Sequence, residues 1–218
     1  MVKIEEYLKS TFFIDCETKS IKEKAQDLTE GQQETTDKAK SLFYFVRDEI
    51  KYQPFSRFHL PEYYRASAIL DIGGGYCIQK AVLFAALARA AGIPARLRLI
   101  YLRNNLLPDT TAEVLGGIDL FLHGYDELYI EGKWVKATPT FDIEMCREHR
   151  IIPVEFDGKH NALFHSHNLD GKLHIEYLKD DGHYQDLPLN KILDHWLETY
   201  GAELVEEFKK TFGQKREQ

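Results

Sequence analysis

The feature that most constrains the fold is a helix that is apolar on nearly every side. Three glycines, Gly73–Gly75, lead into a run from Cys77 to Ala91 that has few polar positions beyond its first turn. A helix of this composition belongs inside a protein, with packing on several sides. Gly92 and Pro94 end it, as glycine and proline commonly do just after a helix. The rest of the chain must therefore bury a central helix, and 218 residues are ample for such a core.

Cys77 lies in the first turn of this helix. Unpaired backbone N–H groups and the positive end of the helix dipole favour a thiolate there, and the thiolate is the nucleophilic form of cysteine. The glycines before it carry no side chains, so a substrate backbone could approach closely. The alternative is a buried, inert thiol, because free cysteine is often buried. Cys77 taken alone fits both interpretations.

Hydrophobic patterning along the chain predicts an α+β fold. The predicted helices cover two segments between about 20 and 51 that break near Gly31, a short segment at 141–149, and 189–212 at the end of the chain. The predicted strands cover 95–103, 120–130, 133–138 and 173–179, and Glu131-Gly132 between two of them is a good hairpin signal. Residues 52–64 and 104–117 are predicted loops. We expect one domain over 1–218, with a core at about 38–142, an N-terminal helical extension and a C-terminal α/β extension.

Composition narrows the possible partners and compartments. The net charge of −7 and the lack of a basic stripe argue against nucleic acid as a partner. Cys16, Cys77 and Cys146 are too few and too scattered for a disulfide framework, and they form no CxxC pair of the kind found in structural zinc sites. The first residues carry no apolar signal region and no stretch approaches a membrane span. We expect a cytoplasmic protein with no membrane partner, no cofactor and no metal.

His123 is the best candidate for a base that would serve Cys77. A cysteine nucleophile needs a base within hydrogen-bond reach, and the base needs an orienting partner. Strand alternation places His123 on one face with Tyr125 and Glu127. If this strand packs against the start of the Cys77 helix, the imidazole could meet the thiol. The alternative is a half-exposed strand histidine without a catalytic role.

These residues form an ordered set that resembles the transglutaminase-like superfamily. The set comprises Gly-Gly-Tyr-Cys77, an apolar helix that ends in Arg89-Ala90-Ala91-Gly92-Ile93-Pro94-Ala95-Arg96, His123 on a strand, and Lys133-Trp134-Val135 on the next strand. The resemblance covers about residues 38–141. It implies a papain-like cysteine-enzyme core in which the buried helix bears the nucleophile and packs on an antiparallel sheet, with extra helices at both ends. It also implies catalytic roles for Cys77 and His123.

The third catalytic position departs from the family pattern. The family usually has an aspartate after the Trp strand, just before a Pro-Thr pair, and here Thr138 precedes Pro139-Thr140. A threonine hydroxyl could orient the imidazole of His123 but could not stabilise an imidazolium as a carboxylate would. Asp142 lies four residues on and could curl back to take this role, although an aspartate there also suits a helix cap. Thr138 is the favoured orienting residue, and Asp142 is its substitute.

The resemblance implies cysteine-dependent acyl transfer on an amide, of peptide or glutamine type, in a peptide or protein substrate. A thioester would form on Cys77 and be resolved by water or by an amine acceptor. Hydrolysis is favoured over crosslinking, because the sequence shows no second module that would bind an acceptor. The oxyanion would first meet the backbone N–H of Cys77. Gln53 and Tyr76 are candidates for the second donor. The simpler interpretations are that Gln53 is a polar loop residue and that Tyr76 is an aromatic residue that packs in the core.

Two other functions remain open at this point. A catalytically inactive binding or scaffolding module would explain the missing acid at position 138. A metal-dependent protein could use the histidines between His160 and His183, since His165 and His167 lie on one face of an extended segment. No further ligand stands at a typical spacing, so a solvated loop is the favoured interpretation of that segment. The oligomeric state is unknown from the sequence.

Overall fold

A computed structural model describes residues 3–54, 60–107 and 119–212 of the chain. The fold is α+β, with a central helix between other helices and an antiparallel sheet. The helices are α1 (Lys19–Thr29), α2 (Thr35–Tyr44), α3 (Ala66–Ile72), α4 (Cys77–Ala90), α5 (Ile143–Glu148) and α6 (Leu189–Phe212). The strands are β1 (Lys51–Tyr52), β2 (Gly74–Gly75), β3 (Ala95–Asn104), β4 (Leu120–Ile130), β5 (Lys133–Ala137) and β6 (Ile175–Tyr184). A π-helical turn, Phe45–Glu49, follows α2, and 3-10 turns cover Ile4–Leu8 and Pro61–Tyr64.

The main sheet has the strand order β5-β4-β3-β6, and each neighbouring pair is antiparallel. The turn between β4 and β5 is Glu131-Gly132, and both residues have positive φ, 48° and 84°. Positive φ at both positions is the geometry of a type I′ hairpin turn, so the predicted hairpin is confirmed. β1 and β2 form a separate parallel pair, with Tyr52 opposite Gly75. This small pair brings the chain before residue 54 against the glycines that precede α4.

α4 is the buried centre of the molecule. Every residue from Ile78 to Arg89 is buried, because α1, α2 and α3 pack on one side of the helix while β3 and β4 pack on the other. Lys80 is fully buried on this helix, and its Nζ donates to the carbonyls of Arg47 (3.1 Å) and Ile50 (2.6 Å) at the end of the π-helical turn. Burial lowers the pKa of Lys80 to about 7. The predicted apolar helix is confirmed, and its one buried lysine fixes the segment that leads into β1.

Arg89 fixes the other end of α4. Its guanidinium donates to the carbonyls of Ala95 (2.8 and 3.0 Å), Lys9 (2.7 Å) and Gln185 (2.7 Å), and burial lowers its pKa. Gly92 adopts φ 81°, which suits a glycine just after a helix end. The Arg-x-x-Gly-Ile-Pro-Ala-Arg turn is therefore a structural junction that ties both terminal regions to the core.

The structure corrects several predicted boundaries. β6 covers Ile175–Tyr184, whereas the sequence pattern predicted a strand at 173–179. α3 and β2 lie in a stretch for which no element was predicted, and β1 joins Lys51, predicted as the end of a helical stretch, to Tyr52, predicted as the start of a loop. Such short elements carry too few residues to display a period. The predicted loops at 52–64 and 104–117 fall partly outside the described residues. Within the described ranges, no helix is long and apolar enough to cross a membrane.

Candidate active site

Cys77 begins α4 and is partly buried at the edge of a cavity of about 130 Å³. Gln79 fixes this helix start, because its Oε1 accepts a hydrogen bond from the backbone N–H of Tyr76 (3.2 Å) and its Nε2 donates to the carbonyl of Tyr63 (3.0 Å). The first N–H groups of a helix have no partner within the helix. The thiol therefore stands beside backbone donors at one end of a fully buried helix.

Two opposing effects act on the Cys77 thiol. Burial raises its pKa to about 11, while the backbone N–H groups of Gly124, Ile78 and Cys77 itself lower it. Burial outweighs the helix start in this geometry, so the thiol is protonated at neutral pH. The expectation that the helix N-terminus favours a thiolate at Cys77 is wrong in this geometry, because burial removes more hydration from a thiolate than the backbone N–H groups replace.

His123 lies on β4 and borders the same cavity as Cys77. It is 3% exposed, and its Nε2 is hydrogen-bonded to Oγ1 of Thr138 at 3.0 Å. Thr138 Oγ1 is in turn 3.0 Å from Oγ1 of Thr140. Burial lowers the pKa of His123 to about 3, and no charged group opposes this shift. The imidazole is therefore neutral at physiological pH and is held by a chain of two hydroxyls.

Gly124 explains how β4 comes so close to the start of α4. A Cβ at this position would lie 2.9 Å from Cγ1 and 3.0 Å from Cα of Ile78, which is tighter than side chains tolerate. Only glycine leaves room for the strand to approach the helix backbone at this point. Because Gly124 follows His123 and Ile78 follows Cys77, this close approach brings the two candidate residues to one place.

Asp142 is not brought to His123. It caps α5, where its Oδ1 accepts from the backbone N–H of Met145 (3.0 Å) and its Oδ2 accepts from that of Tyr52 (3.1 Å). In the part of the chain that the structure describes, neither oxygen is hydrogen-bonded to the His123 ring. The helix-cap interpretation therefore accounts for Asp142. Asp142 does not substitute for Thr138 in this geometry and instead fixes β1 to α5.

Of the two sequence candidates for a second oxyanion donor, Tyr76 has a hydrogen-bond partner and Gln53 packs over Gly74. The Gln53 side chain lies over Gly74, with its Nε2 2.6 Å from the place that a Cβ there would take. The Tyr76 ring borders the cavity, but its hydroxyl is paired with that of Tyr64 at 2.8 Å. Tyr52 was missed: it borders the cavity, and burial together with the neighbouring Cys77 raises its pKa well above the usual value. Only the pairing of β1 with β2 brings Tyr52 there, and a two-residue strand leaves no pattern in the sequence.

The cavity wall is largely apolar and comes from many parts of the fold. It includes residues of β3, β4, β6 and α6, among them Leu102, Leu122, Ile175 and Trp196. Among the described residues, none that borders the cavity is Asp, Glu, Lys or Arg. The sequence predicted the closing helix α6 but not that it forms part of the site, since its stripe of apolar residues is equally typical of core packing.

The histidine-rich segment provides no metal cluster in the described residues, where no group of three or more His, Cys, Asp or Glu could hold an ion. His167 instead pairs its Nδ1 with the hydroxyl of Ser166 at 3.0 Å, and the hydroxyl of Tyr177 binds the backbone N–H of Phe164 at 3.1 Å. This segment serves the fold, because Phe164 packs against the His123 ring with centroids 4.9 Å apart.

Comparison with protein families gives one match, the sequence model described as "Transglutaminase-like superfamily", over residues 22–139. This segment is more than half of the chain and contains Cys77, His123 and Thr138. The chain belongs to the transglutaminase-like superfamily. The resemblance read from the sequence is thereby confirmed, and with it a fold of the cysteine-enzyme type. Comparison with curated proteins gives no match.

Solved structures with similar folds come from three bacteria. A protein from Cytophaga hutchinsonii, provisionally named a cysteine protease, is 20% identical, with a TM-score of 0.49 over 63% of this chain and 42% of its own. The periplasmic domain of TgpA from Pseudomonas aeruginosa is 19% identical, with a TM-score of 0.47 over 68% of this chain and 51% of its own. A provisionally named protease from Parabacteroides distasonis is 18% identical, with a TM-score of 0.40 over 62% and 25%. The matched parts span about half or less of those chains.

Proposed function

We propose that the protein is a cysteine-dependent acyl-transfer enzyme that acts on an amide of a peptide or protein, through a thioester on Cys77. The observation that carries this proposal is that Cys77 and His123 border one cavity while Oγ1 of Thr138 is hydrogen-bonded to Nε2 of the His123 ring. Nucleophile, base and orienting group are the three parts that covalent catalysis of this kind needs.

The neutral state of both groups defines the order of proton transfers. We assign the ring proton of His123 to Nε2, which then donates to Thr138 while the Thr138 hydroxyl donates to Thr140; in this tautomer Nδ1 keeps its lone pair and is the base. As the sulfur of Cys77 attacks the carbonyl carbon, Nδ1 takes the thiol proton and then delivers it to the leaving amine. Water, deprotonated by the same nitrogen, cleaves the thioester and restores the thiol. No free thiolate–imidazolium pair precedes the attack.

The oxyanion that forms on the carbonyl oxygen is stabilised by the backbone N–H of Cys77. We assign the second donor to the Tyr52 hydroxyl, since Tyr52 borders the same cavity as Cys77 and its burial there raises its pKa, which keeps the hydroxyl protonated as a donor. Asp142 has a supporting role, because its bond to the backbone N–H of Tyr52 fixes the strand that carries this hydroxyl. Tyr76, whose hydroxyl is already paired with Tyr64, is the weaker candidate.

Water is the favoured acceptor. A protonated amine that approached through the cavity would leave its hydration shell, and no carboxylate among the described wall residues would replace it. The leaving amine and water are both neutral and meet no such penalty. A reducing compartment such as the cytoplasm would keep the Cys77 thiol available.

The test compares the wild-type protein with Cys77→Ala on a library of peptide amides that release a fluorescent amine. We expect release by the wild type and none by Cys77→Ala, with Cys146→Ala as the matched control, because Cys146 is a buried cysteine of α5. Added hydroxylamine separates the acceptors, since a transferase gives a hydroxamate and a hydrolase gives mainly the acid. Equal release by the wild type and Cys77→Ala would contradict the proposal.

A catalytically inactive binding module is the second candidate. It is favoured by the neutral partner at position 138 and by a thiol whose pKa is raised to about 11. In that case iodoacetamide would label Cys77 no faster than Cys16 when peptide ligands are present. Faster labelling of Cys77, lost in His123→Gln, would exclude the inactive module.

A further inference from the structure

The cavity beside Cys77 is small and well defined. Its volume is about 130 Å³, whereas pockets for drug-sized ligands measure about 300–1,000 Å³. A buried cavity of about 150 Å³ lined by Leu, Ile and Phe holds one benzene molecule. The space next to the nucleophile therefore suits a single ring or one branched aliphatic group and does not suit a folded peptide segment.

The chemistry of the described wall disfavours a charged occupant. Leu102, Leu122, Phe164 and Ile175 are each at most 8% exposed, and Trp196 completes the apolar part of the wall. The polar groups on the described wall are thiol, hydroxyl, amide and imidazole groups, and none of them belongs to Asp, Glu, Lys or Arg. A carboxylate or ammonium group placed there would lose its water without gaining an ion-pair partner.

We infer that the acyl part of the substrate carries a neutral, ring-sized apolar group, such as a phenyl ring or a leucine-like branch, that fills this cavity while its carbonyl carbon meets the Cys77 sulfur. The inference rests on the proposed function for the position of the carbonyl. It narrows the substrate class of the proposed acyl transfer. A glutamine-type substrate would instead place a carboxamide among these apolar side chains.

Binding without chemistry tests the cavity by itself. Cys77→Ala keeps the wall and cannot react, so its thermal unfolding is measured with equal concentrations of acetamide, phenylacetamide and 4-carboxyphenylacetamide. A ligand that binds only the native state raises the unfolding temperature. We expect phenylacetamide to raise it clearly above the acetamide value, and the carboxylated analogue to have no effect. Equal shifts with all three amides would overturn the inference.

Acylation of the wild-type protein tests the cavity and the nucleophile together. The p-nitrophenyl esters of acetic, phenylacetic and 4-carboxyphenylacetic acid each form a carbon–sulfur bond to Cys77 and break the ester bond, which releases p-nitrophenolate; the thiol proton passes to His123 and then to water. Each acylation rate is divided by the rate at which the same ester acylates N-acetylcysteine, so that differences in the intrinsic reactivity of the esters cancel. We expect the phenylacetyl ester to react about tenfold or more faster than the acetyl ester, as burial of a phenyl group implies. The 4-carboxyphenylacetyl ester should not show this faster reaction.

Variants of the wall give the matched control. Leu102→Phe fills the cavity and should lower the ratio of the phenylacetylation rate to the acetylation rate about tenfold. Leu178→Phe makes the same change on β6, where the side chain is 48% exposed, and should alter neither rate. Leu102→Ala should accept a 2-naphthylacetyl ester that the wild type rejects. If Leu102→Phe does not fold by circular dichroism, Ile175→Phe replaces it.

The two hypotheses fail in different ways. If phenylacetamide stabilises Cys77→Ala but no ester acylates the wild type faster than Cys77→Ala, the cavity inference stands and the proposed catalysis fails. If Cys77 is acylated rapidly but equally by acetyl and phenylacetyl esters, catalysis stands and the substrate class is wrong. Preference for the phenylacetyl group that persists in Leu102→Phe and Ile175→Phe would place the ring elsewhere and would also overturn the inference.

Discussion

Two buried ionisable side chains on the same face of β4 have opposite surroundings. Glu127 and His123 are four residues apart and each is 3% exposed. Glu127 accepts hydrogen bonds from Nε of Arg96 (2.7 Å) and from Arg98 (3.1 Å), and Arg98 also pairs with Asp180. His123 is bound by the neutral hydroxyl of Thr138.

The difference shows that the sheet can hold a buried carboxylate when cations surround it. At the Glu127 end Arg96 also stacks on Trp134, with 4.0 Å between the guanidinium and the ring centroid. Arg96 and Trp134 both belong to the family pattern, and here they stabilise the sheet. At the His123 end no charged group among the described residues shifts the pKa of the ring, and burial keeps both thiol and imidazole neutral. In the proposed reaction, a charge would therefore appear there only as Cys77 attacks the substrate.

The largest effect is expected from His123→Gln, which keeps a hydrogen-bonding side chain but removes the base. General-base catalysis contributes 10²- to 10⁴-fold, so the acylation rate of Cys77 should fall by about 10³-fold. The measurement is the burst of p-nitrophenolate from an activated ester. His195→Gln is the control, because His195 borders the same cavity from α6. A comparable loss in the control would mean that His123 is not the base.

Glu127→Gln should affect stability and leave the chemistry unchanged. Removing one partner of a buried ion pair costs 3–5 kcal/mol; because the two arginine side chains are 14% and 19% exposed, we expect about 2–3 kcal/mol from urea unfolding. Glu23→Gln, in an exposed pair with Lys19, should cost less than about 0.5 kcal/mol. Two results would contradict this prediction: an unchanged free energy of unfolding in Glu127→Gln, or a loss of acylation rate larger than the loss of folded protein explains.

Thr138→Val removes the hydroxyl that orients His123 and keeps the shape of the side chain. A buried hydrogen bond left unmade costs about 1–3 kcal/mol, so acylation should slow by about tenfold to a hundredfold with little change in KM. Thr36→Val, a buried threonine of α2, is the control and should stay within about twofold. If Thr138→Val were as active as the wild type, the hydroxyl would not position the ring.

The pH profile distinguishes a neutral pair from a preformed ion pair. With pKa values of about 3 for His123 and about 11 for Cys77, the base and the thiol are both in their working forms between those values, so acylation should be flat from about pH 5 to pH 9. Thr138→Asp places a carboxylate beside the ring and raises the His123 pKa. The base form is then lost as the pH falls through that higher pKa, so the variant should weaken towards acid pH.

Thr138→Asn is the neutral control for this experiment and should keep the flat profile. A bell-shaped profile in the wild type, with an apparent pKa near neutrality, would mean that the charged pair forms before the substrate reacts. A flat profile in Thr138→Asp would mean that residue 138 does not act on the ring.

The sequence was sufficient for the parts of the fold with long, regular patterns. The apolar run of α4, the alternation of β3 and β4 and the Glu131-Gly132 turn each carry a local signal that tertiary contacts reinforce. It did not predict α3, β1 and β2, since two- and seven-residue elements are stabilised by their neighbours and show no period. The extent of β6 was also missed, because its outer half is exposed and carries no alternating apolar pattern.

The candidate site divides in the same way. The motif order identified Cys77, His123 and Thr138, since each stands at a fixed place relative to a helix start or a strand. It did not identify Tyr52 or Trp196, which reach the cavity through the β1–β2 pair and through α6. Nor could it weigh burial against the helix start at Cys77, because the pKa depends on how much water the completed fold removes.

The smallest effect is expected from Thr140→Val, which tests the outer link of the hydroxyl chain. Without Thr140 the hydroxyl of Thr138 loses its acceptor and can turn its own hydrogen towards Nε2 of His123, which would place the ring proton on Nδ1 and leave no base. A neutral hydrogen bond contributes about 0.5–1.5 kcal/mol, so kcat should fall about threefold with KM unchanged. The ¹⁵N chemical shifts of the His123 ring should report a mixture of tautomers, and Thr140→Ser should restore a single one. A loss of stability without that change in tautomer would mean that Thr140 only packs in the core. Thr138 would then be the residue that orients His123, which is held without a charged partner, whereas Glu127 is held by two arginines.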